Sequence, residues 1–287
     1  VRLTILHPGE QSPIDVEMLR AIIPIESVLG DGRRTDGGWD FQLQDDPRIT
    51  YIRLINFGEN TVTELSQVLQ GRKTEALILD LRDNAGGLLD AAVGTCNLFL
   101  NEGTIVTIRG RDGEIQRTFE ADGSPLLPGD LPVVVLVNHF SASASEIVAA
   151  CLQDHERAKI IGQRSWGKGT VQNVIQIEAG RAALKLTTAS YWRPSGKNIH
   201  RLKEATDEDE WGVRPDPGFE VMLTDEQADG IRQRRRDKDI GATSKPAPDA
   251  AQNKEASEPA EPPKPAGDPQ LQKALEYLQP QLGRAQS

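Results

Sequence analysis

The chain has 287 residues, 37% of them hydrophobic, with a formal net charge of −10 and a pI near 5.0. That length suits one large domain or two modest ones. The acidity argues against a nucleic-acid binder, which needs a basic footprint, and no apolar run is long enough to cross a bilayer as a helix.

The chain opens on VRLTILHPGE, a strand and turn rather than a Met or a flexible lead, so residue 1 is not expected to be the biological N-terminus. Val16–Ile25 reads as extended and 31–39 (DGRRTDGGW) as a loop. Tyr51–Ile55 reads as a strand, Asn60–Gln70 as an amphipathic helix, and Ala76–Leu81 as a short, continuously apolar strand covered on both faces. A helix over Leu88–Leu100 follows. Two strands, Thr104–Arg109 and Glu114–Glu120, flank an Asp112-Gly113 hairpin turn. Pro132–Val137 (PVVVLV) is the most buried-looking strand, followed by a helix over Ala144–Gln153 and a strand from Lys159 to Gly162. Thr170–Ile177 and Ala182–Ser190 form a second hairpin. Strands alternating with helices and short loops indicate an α/β domain.

From Gln227 the composition changes. A charged stretch (RQRRRDKD) leads into 242–268, rich in Pro, Ala, Glu and Lys, which is expected to be a disordered linker because it has too little apolar surface to offset ordering entropy. Helical periodicity returns over Pro269–Gln279.

Three motifs carry candidate chemistry, each at the carboxyl end of an expected strand, where α/β folds place ligands. LILDLRDNAGG (77–87) runs from a buried strand into a glycine turn whose N–H groups suit an anion. FSASASEI (140–147) leads into a helix N-terminus, whose free N–H groups and dipole suit an oxyanion. Taken alone it also reads as a helix cap, since Ser143 and Glu146 fit the S-x-x-E capping box. SWGKGTVQ (165–172) sets Lys168 between two glycines, with a spacing that is not a P-loop; alone it is a turn lysine. His139, four residues before Ser143, is expected to face elsewhere rather than act as a base. Cys96 and Cys151 read as small buried hydrophobes. The four histidines show no metal-ligand spacing, and no metal or other cofactor is expected.

Taken in order, LDLRDNAGGLLDAAV, SASASEI…LQDHERA…IGQRSWGKGTVQ, ASYWRPSGKNIH and WGVRPDPGFEV resemble the carboxy-terminal processing peptidases, or tail-specific proteases, a Ser–Lys serine peptidase family. The likeness runs from Val1 to Leu223, and DPQLQKALEYL is also typical; Arg193 departs from the family's "YxTPSGxxIH", where a Thr is usual. The resemblance implies a nucleophile at Ser143, a general base at Lys168, a lysine-orienting Gln172, and an oxyanion hole from the backbone N–H groups of Gly86 and Ala144. Asp154 is implied to be structural. Desolvation by neighbours, Trp166 included, is expected to lower the lysine pKa enough for base chemistry.

The implied fold is α/β, a crotonase/ClpP-like protease core with a smaller β-rich subdomain near Val16–Leu54 and Val213–Leu223. Residues 1–7 would be the last strand of a PDZ domain otherwise missing at the N-terminus. Residues 8–223 would be the peptidase core, 224–241 a charged helix or extension, 242–268 the linker and 269–280 the C-terminal helix. Implied partners are protein or peptide substrates with unfolded C-terminal tails, and a homo-oligomer or adaptor reached through the C-terminal helix. The implied location is the bacterial cell envelope or periplasm. Two other classes stay open: a peptide-binding module without chemistry on the same fold, and a crotonase-like acyl-CoA enzyme, for which Asp83 and Asp90 are the acids available.

Overall fold

The computed structural model describes residues 1–6, 10–21, 25–240 and 267–282. β1 (Arg2–Ile5) pairs antiparallel with β2 (Ile14–Glu17) in a two-stranded ribbon. The extended stretch expected over Val16–Ile25 is a strand only to Glu17, and 22–24 lie outside the described residues.

Short strands β3 (Val28–Leu29), β4 (Gly32–Arg33), β5 (Trp39–Asp40) and β6 (Gln42–Leu43) lead into β7 (Asp46–Leu54). α1 (Thr61–Gln70), β8 (Ala76–Asp80) and α2 (Leu89–Asn97) follow, then the hairpin of β9 (Thr104–Gly110) and β10 (Ile115–Glu120). Next come β11 (Val133–Val137), α3 (Ala144–Asp154) and β12 (Lys159–Gly162). The hairpin of β13 (Thr170–Ile177) and β14 (Ala182–Trp192) precedes α4 (Asp225–Ile240) and α5 (Pro269–Leu278).

The main sheet runs β12-β11-β8-β7-β3, with β6 also paired to β7; β7, β8, β11 and β12 are mutually parallel. Parallel strands need both faces covered, and the side chains divide accordingly. Ile52, Leu77, Leu79, Val133, Val135 and Ile160 pack with α1, α2 and α3. Their alternates Ile49, Tyr51, Ile78, Val134, Leu136 and Ile161 form a second cluster with Ala274 and Leu278 of α5. The C-terminal helix is therefore one wall of the core.

One expectation needs correction. The strand over Tyr51–Ile55 does not belong to a smaller β-rich subdomain; β7 is longer, reaching back to Asp46, and lies inside the main sheet. Its alternating apolar residues face both layers, which only an interior strand can satisfy. The second sheet is instead β10-β9-β14-β13, with β13 at its edge. One face of the β13–β14 hairpin exposes Ile175, Ile177, Leu184 and Leu186.

The charged stretch after Gln227 forms α4, which docks through ion pairs: Arg53 with Asp239, Lys238 with Asp31 at 2.7 Å, and Arg235 with Asp80 and Asp83. Asp80 and Arg82, 1% and 2% exposed, pair at 2.7 Å, and Arg82 also meets Asp268 at 2.9 Å and Gln270 at 3.0 Å. Burial pushes the Asp80 pKa up, but Arg235 and Arg82 outweigh it and hold the carboxyl well below its ordinary range. The linker expected over 242–268 lies outside the described residues except for its last two positions. Of these, Asp268 is ordered and caps α5 by accepting from Leu271 N at 3.1 Å. Cys96 and Cys151 are free and buried; burial and a hydrogen bond with Cys151 hold the Cys96 thiol well above its ordinary value.

Candidate active site

Three loops at the carboxyl ends of parallel strands converge: 81–88 after β8, 138–143 after β11, and 163–169 after β12. Ser143 sits at the N-terminus of α3 with φ 57° and ψ −113°, a left-handed-side conformation that a serine seldom adopts. Such strain at a strand-to-helix turn lifts the side chain out of the loop, as in a nucleophile elbow. Ser143 is half-buried, whereas α3 behind it is buried from Ala144 to Leu152.

Gly86 touches this turn. A Cβ built on it would lie 2.6 Å from Ala142 O, 2.8 Å from Ser143 Cβ and 2.9 Å from Ala144 N, and its φ is +101°. Only glycine lets the 81–88 loop press against the serine. Asn84, fully buried, holds the two loops together. Its Nδ2 donates to Leu54 O at 2.7 Å, its Oδ1 accepts from Gly86 N at 2.8 Å, and its carbonyl accepts from Ala142 N at 3.0 Å and Ser145 Oγ at 2.9 Å. Ala144 N–H has no acceptor among the described residues.

The third loop is tied to the second by Glu146, which is fully buried. Its Oε2 accepts from the backbone N–H of both Ser143 and Lys168, each at 2.8 Å, while Oε1 accepts from Ser165 Oγ and Gly167 N, each at 2.6 Å. Burial raises the Glu146 pKa, opposed by these four donors. Trp166 N adds a bond to Ser141 O at 3.0 Å. The glycine after the lysine is needed for close approach: a Cβ on Gly169 would lie 2.3 Å from His200 N.

The structure thus gathers Ser143, Ala144 and Gly86, and fixes the Lys168 backbone to the same carboxylate as Ser143. It does not join the side chains of Lys168 and Gln172 to the serine. Both are exposed, and neither is hydrogen-bonded to Ser143 among the described residues. The expected desolvation is also absent: Trp166 is 57% exposed and does not shield the lysine. The reason is local. Lys168 lies in the loop two residues before the edge strand β13, which is exposed from Gln172 onward. His139 is exposed and packs tilted against Phe140, with ring centroids 3.9 Å apart. Asp154 pairs with Arg193 at 2.6 Å and accepts from Ser195 N at 2.9 Å, a structural anchor for the segment that packs on the lysine loop.

Asn84, Ser165 and the bridging role of Glu146 went unread in the sequence. The S-x-x-E pattern found Glu146 only as a cap. No local pattern shows that its carboxylate also reaches the loop after the next strand.

The chain also carries the sequence signature of a known family. Residues 48–217 match Peptidase family S41, and the chain belongs to that family. Among curated relatives, the carboxy-terminal-processing protease of Bartonella bacilliformis is 36% identical over 262 residues, 85% of this chain and 55% of that one. The carboxyl-terminal-processing protease of Synechocystis sp. is 36% identical over 78% of this chain and 48% of its own. A solved photosystem II D1 C-terminal processing protease superposes with a TM-score of 0.56 at 29% identity, covering 73% of this chain and 52% of that one. The chain spans about half the length of the curated relatives it matches.

Proposed function

We propose that this chain is the catalytic core of a serine endopeptidase that cleaves proteins selected by their C-terminal tails. Ser143 attacks the scissile carbonyl and Lys168 takes its proton. The observation that carries this reading is the shared Glu146 carboxylate, which sets the backbones of Ser143 and Lys168 from one point. The strained Ser143 backbone supports it. The developing oxyanion is received by the N–H groups of Ala144 and Gly86, the latter exchanging its bond to Asn84 Oδ1 for the oxyanion. With the Lys168 side chain in solvent, catalysis requires it to fold inward over Ser143, where Gln172 orients it and burial disfavours its charged form.

The resemblance further supports a crotonase/ClpP-like core, a PDZ domain preceding it and an extracytoplasmic location. Because α5 buries Ala274 and Leu278 on its own sheet, a homo-oligomer or adaptor contact through this helix would use its outer face, with Lys273 and Glu276.

The test is cleavage of an unfolded substrate such as β-casein by the parent, Ser143→Ala and Lys168→Ala, with circular dichroism on all three. Cleavage by the parent alone supports the dyad. Equal cleavage by all three removes both residues from the chemistry.

A further inference from the structure

Between β7, α4 and α5 lies a cavity of about 370 Å³, on the sheet face opposite α1, α2 and α3. None of the residues proposed for catalysis lines it. Four cations do: Arg53, Arg234, Arg235 and Lys238. Three are answered within the chain, Arg53 by Asp239, Arg235 by Asp80 and Asp83, and Lys238 by Asp31. Arg234 is not. Its Nη1 and Nη2 are both buried and have no hydrogen-bond partner among the described residues.

A desolvated guanidinium end without an acceptor is costly, and its two parallel donors match a carboxylate in a bidentate pair. The lining carboxylates do not fill that role: Asp31 serves Lys238, Asp268 serves Arg82, and Asp45 is exposed to water. With Arg53, Arg235 and Lys238 each paired to a carboxylate, Arg234 is the lining cation left unanswered among the described residues. The wall also carries aliphatic Ile231, Leu271 and Leu275, beside Tyr51, Gly267 and Gln272. A ligand matched to this lining carries one negative charge, no ammonium, and a short aliphatic group.

We propose that the cavity between β7, α4 and α5 binds a monocarboxylate bearing a short aliphatic group, the chemistry of an N-acylated aliphatic amino acid, gripped by Nη1 and Nη2 of Arg234. The ligand touches both α4 and α5, so it braces the two C-terminal helices against the sheet. The site is independent of the peptidase chemistry.

The experiment is thermal unfolding and calorimetric titration of the whole chain with N-acetyl-L-leucine, using the uncharged N-acetyl-L-leucinamide as comparison. The acid is expected to bind saturably and raise Tm, and the amide is not. Arg234→Met should abolish the rise without lowering the Tm of the ligand-free protein, because the arginine has no internal partner to lose. Arg232→Met, at an exposed position on the same helix, should respond as the parent does. The proposal is overturned if the acid leaves Tm unchanged, if acid and amide act alike, or if Arg234→Met still responds. It is also overturned if that substitution lowers the ligand-free Tm as a broken ion pair would.

Discussion

Ser143 and Lys168 donate their backbone N–H groups to the same oxygen, Oε2 of Glu146, at 2.8 Å each. The proposed nucleophile and its proposed base are thus related first through their backbones, not their side chains. Any shift of one loop against the other stretches a charge-assisted hydrogen bond in a buried site.

Glu146→Gln tests this directly. The amide supplies one acceptor oxygen where the carboxylate supplies two, and its NH2 must face two donors. Each unmet donor costs about 1–3 kcal/mol, so kcat/KM should fall by at least about tenfold, equivalent to about 1.4 kcal/mol, with the circular dichroism spectrum retained. Parent-like kinetics would show that the bridge is dispensable. The pH dependence has a defined sign. Burial raises the folded-state pKa of Glu146, so its ionisation subtracts stability as pH rises through the folded value. Urea titrations of parent and variant across that range should show this loss in the parent only.

Asn84→Asp addresses the proposed oxyanion donor, Gly86 N–H. A carboxylate at this position would hold the Gly86 N–H more tightly than the amide does, would face Leu54 O without a donor, and would repel the developing oxyanion. The expected outcome is a fall in kcat with KM little changed. Steady-state kinetics showing a KM effect alone would place Asn84 in substrate binding instead.

The ion cluster at the end of β8 predicts acid sensitivity. The Asp80 pKa is depressed, so the stability it contributes is complete above its unfolded value of about 3.9 and is lost as pH falls towards the folded value. Tm measured from neutral pH downward should drop steeply below about pH 4. Arg235→Met removes one of the two cations that depress this pKa. It should lower Tm at neutral pH, breaking a buried pair worth roughly 3–5 kcal/mol, and make the acid limb shallower. A variant whose acid limb matches the parent's would show that other carboxylates govern it.

Leu278→Ala measures how far α5 belongs to the core. Leu278 is 0% exposed against the sheet, so its truncation should cost about 2–5 kcal/mol in denaturant unfolding. A cost below about 1 kcal/mol would mean that the helix only rests on the surface.

The layered fold was legible because its parallel strands are written as unbroken apolar runs. ALILD and VVVLV have no polar face, and β8 and β11 proved buried along their whole length. The hairpins at Asp112-Gly113 and Thr170–Ile177 were legible from turn chemistry and alternation. β7 was misplaced because its RITYIRL segment places a buried arginine, Arg53, among the apolar residues, which mimics a half-exposed strand; the compensating Asp239 lies on α4, far along the chain. At the site, Ser143, Lys168 and the glycine turn sit in local motifs. The bridge through Glu146 and the clamp through Asn84 depend on loops brought together only by sheet order, and sheet order is not written in any one segment. The exposure of Lys168 could not be read either, since it lies between two glycines in a loop, where apolar periodicity does not report burial.

The partners of the buried Asp80–Arg82 pair lie 155 and 186 residues further along, Arg235 on α4 and Asp268 at the N-cap of α5. A ribosome therefore releases β8 well before its countercharges. Until Arg235 and Asp268 have been made, the loop that leads to Gly86 carries an incompletely neutralised ion pair, and one face of the sheet has no cover.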